Sequence, residues 1–268
     1  MDNTFKEKYG EWAVVTGASS GIGVEFSHQI AARGLNVVLV ARRKPLLQEL
    51  SAILIEKYKI EVRIIEADLS IDGFQTAILE GTNDLDVGLL VNNAGINCEG
   101  QVFRRSLERN LQMIQVNMKA PYILAYEYGK IFTKKGKGGI IFTSSISAFN
   151  ANPYLTNYAA TKAYILSLAE GMHYELKEKN IDVLALCPGF TKSEMTHGLK
   201  DSMLLMEAAP VASAALDALG KKITVIPGFI NKAQVFLNNR ILGRWGATEL
   251  SGAVLKRMMP GAASSKKK

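Results

Sequence analysis

Cysteine and histidine are scarce in this chain. Of 268 residues, two are cysteine (Cys98, Cys187) and three are histidine (His28, His173, His197). Two thiols make no disulfide framework, and no Cys/His cluster has the spacing of a metal site. The expectation is a reducing, cytoplasmic setting and chemistry without a bound metal. Long apolar runs are missing too. No stretch approaches the roughly 18 residues that a membrane span requires. Met1 to Gly10 is polar and mixed in charge, without the apolar block of a secretory signal. The remaining composition, 48% hydrophobic and 21% charged, is that of a globular protein long enough for one large domain but not two.

Charge imbalance is also lacking over most of the chain. Residues 228–268 hold eight lysines and arginines against one acid, Glu249, so the net +7 of the whole sequence resides there. Residues 1–227 sum to zero. Nucleic-acid binding needs a basic stripe on the folded body, so no nucleic-acid partner is expected. The division predicts a folded body over 1–227 and a basic amphipathic extension over 228–260. A disordered tail is expected over 261–268, where small residues precede three lysines.

What is present is alternation. Apolar, β-branched runs predict strands at Trp12–Thr16, Asn36–Ala41, Val62–Ala67, Val87–Asn92, Gly139–Ser144, Asp182–Leu186 and Lys222–Ile226. They lack polar alternation, as strands buried on both faces of a parallel sheet do. Helical spacing fills the gaps, for example Ile22–Arg33, Pro45–Tyr58, Leu107–Lys134 and Tyr158–Lys179. The fold class is therefore α/β, a doubly wound parallel sheet of about seven strands in a single Rossmann-type domain.

After the first strand comes Thr16-Gly17-Ala18-Ser19-Ser20-Gly21-Ile22-Gly23. A bound phosphate needs a tight turn, close approach to the backbone and free N–H groups at a helix N-terminus. Gly17, Ser19, Ser20, Gly21, Ile22 and Gly23 provide such a place. A strand before, a helix after and a second strand in the same unit separate this turn from an incidental glycine-rich loop. Further on, Tyr158 and Lys162 stand four apart in a helical stretch and share one face. Tyrosine, with a pKa of about 10, is a poor base at neutral pH. A neighbouring ammonium favours the phenolate and is expected to lower that value. Taken alone, the pair reads as a half-buried tyrosine and a surface lysine on an ordinary amphipathic helix. The glycine turn favours the chemical reading.

These features run in order with Asn92-Asn93-Ala94-Gly95, Asn117, Ser144-Ser145 and Pro188-Gly189. Together they resemble the classical short-chain dehydrogenase/reductase family from about Glu11 to Ile226. The resemblance implies an oxidoreductase that interconverts a ketone and a secondary alcohol, with Asn117, Ser145, Tyr158 and Lys162 as the catalytic set. It gives Tyr158 the proton transfer and Lys162 the nicotinamide ribose. Ser145, thirteen residues before Tyr158 as in the family, would hold the substrate oxygen as charge develops there. Asn117 would anchor a water relay to the lysine. Its place in a long helical stretch is unfavourable by propensity and points to a specific role or a kink. Implied cofactor contacts are Asp68 and Leu69 at the adenine, with Asn92, Ala94 and Gly95 along the chain's approach. Pro188, Gly189 and Phe190 would pass under the nicotinamide, with Thr191 or Ser193 at its carboxamide.

Cofactor choice follows from charge. The residue ending the second strand of such a fold faces the adenosine ribose, where an acid selects NAD and an arginine accommodates the 2′-phosphate of NADP. Here the strand runs into Ala41-Arg42-Arg43-Lys44, with no carboxylate until Glu49. Cations are poorly placed at a helix N-terminus, which favours a bound anion. NADP(H) is expected, with Arg42 the main determinant and Arg43 secondary.

The segment Thr191–Glu207 corresponds to the family's variable substrate loop. Its Met195, Met203, Leu204, Leu205 and Met206 suit either an adaptable apolar pocket or ordinary packing. An acyl-chain or sterol-like ketone is the favoured small-molecule substrate, and a homo-oligomer is expected. Phe229–Met259 has near-helical apolar spacing with intervening cations. It reads as a peripheral helix on anionic lipid, or as helices that pack on a subunit partner or close the substrate cleft. Two rival functions stand beside the main one: an NAD(H)-dependent alcohol dehydrogenase of the same family, and a non-catalytic nucleotide-binding regulator. The presence of all four catalytic residues weighs against the regulator.

Overall fold

A computed structural model of the chain describes residues 3–196 and 205–258. Seven strands form one parallel sheet: β1 (Trp12–Thr16), β2 (Asn36–Ala41), β3 (Val62–Glu66), β4 (Val87–Asn92), β5 (Gly138–Thr143), β6 (Ile181–Leu186) and β7 (Thr224–Val225). Their order is β3-β2-β1-β4-β5-β6-β7, the expected doubly wound arrangement. The order reverses between β1 and β4. That reversal opens a crevice above their C-terminal ends, where ligands of this architecture bind.

Alternate strand residues serve opposite faces. Ala13, Val15, Val37, Leu39, Leu89 and Val91 pack against Phe26 and Ile30 of α2 (Gly21–Ala32), Leu47 and Leu54 of α3 (Lys44–Tyr58), and Val211 and Ala215 of α8 (Ala208–Ala218). Val14, Val38, Val40, Leu90 and Ile140 face the other layer. There they meet Ile78 of α4 (Phe74–Glu80), Leu124 and Phe132 of α6 (Ala120–Lys135), and Ile165 of α7 (Thr156–Leu176). A short α1 (Asn3–Tyr9) precedes β1. Burial on both faces explains the unbroken apolar runs.

Two elements differ from expectation. The last strand is shorter than Lys222–Ile226, because the backbone N–H groups of Lys221 and Lys222 still bond to the Ala218 carbonyl at the end of α8. The helix expected over Leu107–Lys134 is interrupted. It consists of α5 (Leu107–Ile114), a π-turn at Gln115–Lys119, and α6. Pro121, in the first turn of α6, has no N–H to donate to the carbonyl four residues back. The regular ladder therefore breaks just where Asn117 sits, and such π-turns are frequent at functional sites.

The extension after β7 forms α9 (Phe229–Phe236), a π-turn (Leu237–Leu242) and α10 (Gly243–Met258). Gly243, with φ at +65°, redirects the chain between them. Asn238 donates to Asn150 at 3.2 Å, and Asn150 donates to Ser251 at 3.1 Å. The extension thus docks on the loop that follows β5. The expected disordered tail, together with Met203, Leu204 and His197, lies outside the described residues. Among those residues, no helix is long and apolar enough to cross a membrane.

Candidate active site

A single cleft of about 1260 Å³ runs across the C-terminal ends of β1, β2, β4, β5 and β6. At one end is the glycine turn. Gly21 has φ at +55°, and a Cβ there would come within 2.8 Å of Ser193. A Cβ on Gly23 would lie 2.1 Å from the Gly17 carbonyl oxygen, so any larger residue pushes α2 off the strand. Ser20 caps α2 in an extended conformation with no side-chain capping bond. Its hydroxyl and the first N–H groups of α2 remain available to an anion. The turn is braced by Asn93, whose amide donates to the Thr16 carbonyl at 3.1 Å.

The cations at the end of β2 face the same cleft. Arg43 is committed: it pairs with Glu194 at 2.6 Å and donates to the Ser19 hydroxyl at 2.9 Å. Arg42 is barely held, 3.9 Å from an Asp68 carboxylate oxygen and more than half exposed. Leu69, Ala94, Gly95, Pro188, Gly189, Thr191 and Ser193 also line the cleft. Gly23 acts behind it, through the packing just described. Asn92 does not reach it: this residue is buried, and its amide donates to the Pro121 carbonyl at 3.3 Å. The neighbour that does line the cleft is Asn93.

At the centre, α7 presents Tyr158 and Lys162. Ser144 fixes that helix by donating from its buried hydroxyl to the Lys162 carbonyl at 2.7 Å. Ser145 donates to the Pro188 carbonyl at 3.4 Å and accepts from the Ser147 N–H at 3.1 Å. Ser145 thus also caps the short turn Ile146–Ala148. Lys162 is buried and donates to the Thr143 carbonyl at 2.8 Å. Its Nζ is 5.6 Å from the centre of the Tyr158 ring. Asn117 is buried behind Gly95, where it accepts from the Ile96 N–H at 2.9 Å and donates to the Ile96 carbonyl at 2.9 Å. A Cβ on Gly95 would sit 3.4 Å from Lys162 Nζ and 3.5 Å from Asn117 Oδ1, so the two polar groups flank one small gap.

The electrostatics correct one expectation. Tyr158 is not an acidified phenol in the free protein. Burial pushes it up to about 12, against a smaller lowering by the Ser145 hydrogen bond. Lys162 is pushed down to about 8 by burial. The lysine cannot offset the tyrosine's desolvation because it shares it. Neutral phenol and a lysine that titrates near working pH suit proton donation.

Comparison with known proteins settles the family. A family model described as short chain dehydrogenase matches residues 11–203. The chain belongs to the short-chain dehydrogenases. A 7beta-hydroxysteroid dehydrogenase from Clostridium sardiniense is 33% identical over 240 residues, covering 88% of this chain and 92% of that protein. A solved 7beta-hydroxysteroid dehydrogenase superposes with a TM-score of 0.88 at 28% identity, over 92% of this chain and 98% of the other. A short-chain dehydrogenase from Sphingobium yanoikuyae in complex with NADPH gives 0.75 at 28% identity, over 96% and 98%. This short-chain dehydrogenase is accordingly an oxidoreductase that uses a nicotinamide cofactor. His28 and His173 lie off the cleft, one edge-on to Tyr58 and the other 3.0 Å from the Val183 carbonyl.

Sequence reasoning missed several cleft residues. Asn97, Arg105, Arg109, Asn150, Asn152 and Leu155 lie on loops or helix starts that follow β4 and β5. The Asn97 Oδ1 atom is buried without a hydrogen-bond partner. No motif marks these positions. The only available signal was that they follow strands whose C-terminal ends face the crevice.

Proposed function

We propose that this enzyme uses NADP(H) to interconvert a ketone and a secondary alcohol on an apolar, sterol-like or acyl-chain skeleton. The observation that carries the reading is convergence: Ser145, Tyr158 and Lys162 share one cleft with the glycine turn and the arginines ending β2. The turn fits a pyrophosphate, because a side chain at Gly21 would close the space to Ser193 and one at Gly23 would push α2 away from Gly17. Arg42, held only at 3.9 Å, is free to take a 2′-phosphate. When bound, the nicotinamide supplies or accepts the hydride. Ser145 and Tyr158 then hydrogen-bond the substrate oxygen, and Tyr158 passes its proton to that oxygen during reduction. Lys162 holds the nicotinamide ribose beside Thr143, with Asn117 behind it.

The substrate wall is apolar. Ile146, Leu155, Phe190, Leu250, Val254 and Leu255 line it, the last three from α10. This supports cleft closure as one role of the extension. A second reading rests on its outer side, where Phe229, Phe236, Ile241 and Trp245 are exposed beside Lys232, Arg240 and Arg244. Such a face suits an anionic lipid surface. Co-sedimentation with anionic vesicles that is unchanged in a Phe236→Ser/Trp245→Ser variant removes it. The exposed Leu107, Leu111, Tyr122 and Tyr126 on α5 and α6 support a homo-oligomer.

The test is NADPH consumption against ketones, aldehydes and acyl thioesters, repeated across pH. Activity is expected with apolar ketones. Reduction should hold steady below about pH 8 and fall above it, because Lys162 loses its proton there while Tyr158, near 12, keeps its own. Silence with every carbonyl would favour the nucleotide-binding regulator. A rate that rises through pH 8 would contradict the roles given to the pair.

A further inference from the structure

Two arginines in the cleft have no counter-charge among the described residues. Arg105 and Arg109 both line its outer wall, in the loop after β4 and the first turn of α5. Both are exposed, and neither lies within ion-pair distance of a carboxylate among the described residues. Arg109 donates to the neutral Gln112 side chain. Arg33, Arg43 and Arg63 each reach an acid at 2.6 Å or less, whereas Arg240, Arg244 and Arg257 of the extension, which do not line the cleft, likewise form no ion pair among the described residues. Glu99 also lines the cleft, yet it pairs with neither arginine.

Their placement is built rather than incidental. Arg105 lays its guanidinium across Gly100, where an added Cβ would meet Nε at 2.3 Å. Gly100 has φ at +126° and bonds through its N–H to the Tyr154 carbonyl at 2.7 Å, which ties this loop to the approach of α7. Arg109 is next to Asn110, which accepts from Asn157, the neighbour of Tyr158, at 3.0 Å. Both cations therefore stand by the start of α7, on the same cleft as the reacting tyrosine. They flank the N-terminal end of α5, where Glu108 in the first turn and the Ser106 hydroxyl, which accepts from the Arg109 N–H, already answer the helix dipole, so the pull on an anion comes from the two guanidinium groups themselves. Arginine is suited to carboxylate and phosphate by its planar fork.

We infer that Arg105 and Arg109 anchor an oxyanion at the far end of the substrate. The substrate class is then an amphiphile: a ketone or alcohol on an apolar skeleton that ends in a carboxylate or a phosphate. This rests on the reading of the cleft as a site for apolar ketones. It adds a positioning role, since the anchored end fixes which carbon of a long skeleton reaches Tyr158.

The experiment uses two matched pairs of substrates with NADPH. One is a polycyclic ketone with a side-chain carboxylate and its methyl ester. The other is a long-chain 3-oxoacyl thioester of coenzyme A and its N-acetylcysteamine counterpart. The enzyme should prefer the charged member of at least one pair by about ten- to a hundredfold in kcat/KM, chiefly through KM. The responding pair identifies carboxylate or phosphate. In Arg105→Ala/Arg109→Ala that ratio should fall to within about threefold of one. No charge preference in either pair overturns the inference, as does a preference that persists in the double variant. Turnover of the neutral members separately tests the underlying ketone reading. If nothing is turned over, calorimetric binding of the corresponding alcohol acid and its ester to the NADPH complex still decides, and equal affinities reject the anchor.

Discussion

Replacing Tyr158 with phenylalanine should lower turnover by about 10²- to 10⁴-fold, the usual contribution of a general acid, while leaving cofactor affinity nearly unchanged. The ring remains to pack against the cleft, with Lys162 still 5.6 Å from its centre. Only the hydroxyl disappears. Steady-state kinetics and NADPH fluorescence titration on the same preparation separate the two effects. More than a tenth of the activity surviving would sink the assignment. Lys162→Ala should behave differently and lose both turnover and cofactor affinity, since the buried amine is proposed to hold the nicotinamide ribose as well.

Arg42→Ala should weaken NADPH binding by about ten- to a hundredfold, which corresponds to one charge-assisted hydrogen bond of roughly 1.5–3 kcal/mol. NADH binding should change little. Arg43→Ala should cost less, because much of what Arg43 does is already spent within the protein on Glu194 and Ser19. The 3.9 Å approach of Arg42 to Asp68 leaves its guanidinium open to a ligand. Equal affinity of the unmutated enzyme for NADPH and NADH would falsify the electrostatic argument.

What could be read from the sequence follows a physical division. The sheet was legible because burial on both faces demands long apolar runs, and β1, β2 and β4 occupy the predicted residues. The glycine turn and the Tyr158–Lys162 spacing were legible because backbone geometry and helical period leave few alternatives. The pKa of Tyr158 was not, because its sign depends on how deeply neighbouring groups bury both partners. Nor was the burial of Asn92, since adjacent asparagines in one motif look alike until the strand end assigns their directions. Arg105 and Arg109 escaped for another reason. Isolated charges on a loop carry no period, and their meaning comes from what they lack as neighbours. The break at Asn117 was anticipated only as a misfit of residue to helix. Its form, a π-turn ahead of Pro121, needed the backbone.

The extension meets the rest of the molecule through few buried side chains, among them Asn231, Val235, Asn238, Ala247 and Leu255. Yet α10 supplies Leu250, Val254 and Leu255 to the cleft. The reacting groups, by contrast, hang from strand ends and α7, all of which precede Pro227 in the chain. A single genetic crossover at Pro227–Gly228, where Gly228 already turns the backbone with φ at +81°, would exchange the α10 half of the apolar wall, Leu250, Val254 and Leu255, while Ile146, Leu155 and Phe190 stay with the body. It would leave every proposed proton and cofactor contact untouched. In this architecture, the share of skeleton selectivity carried by α10 can be inherited as one contiguous block, and chimaeras between family members joined at that point should keep their chemistry and their charge preference while their choice of apolar skeleton shifts toward the donor's.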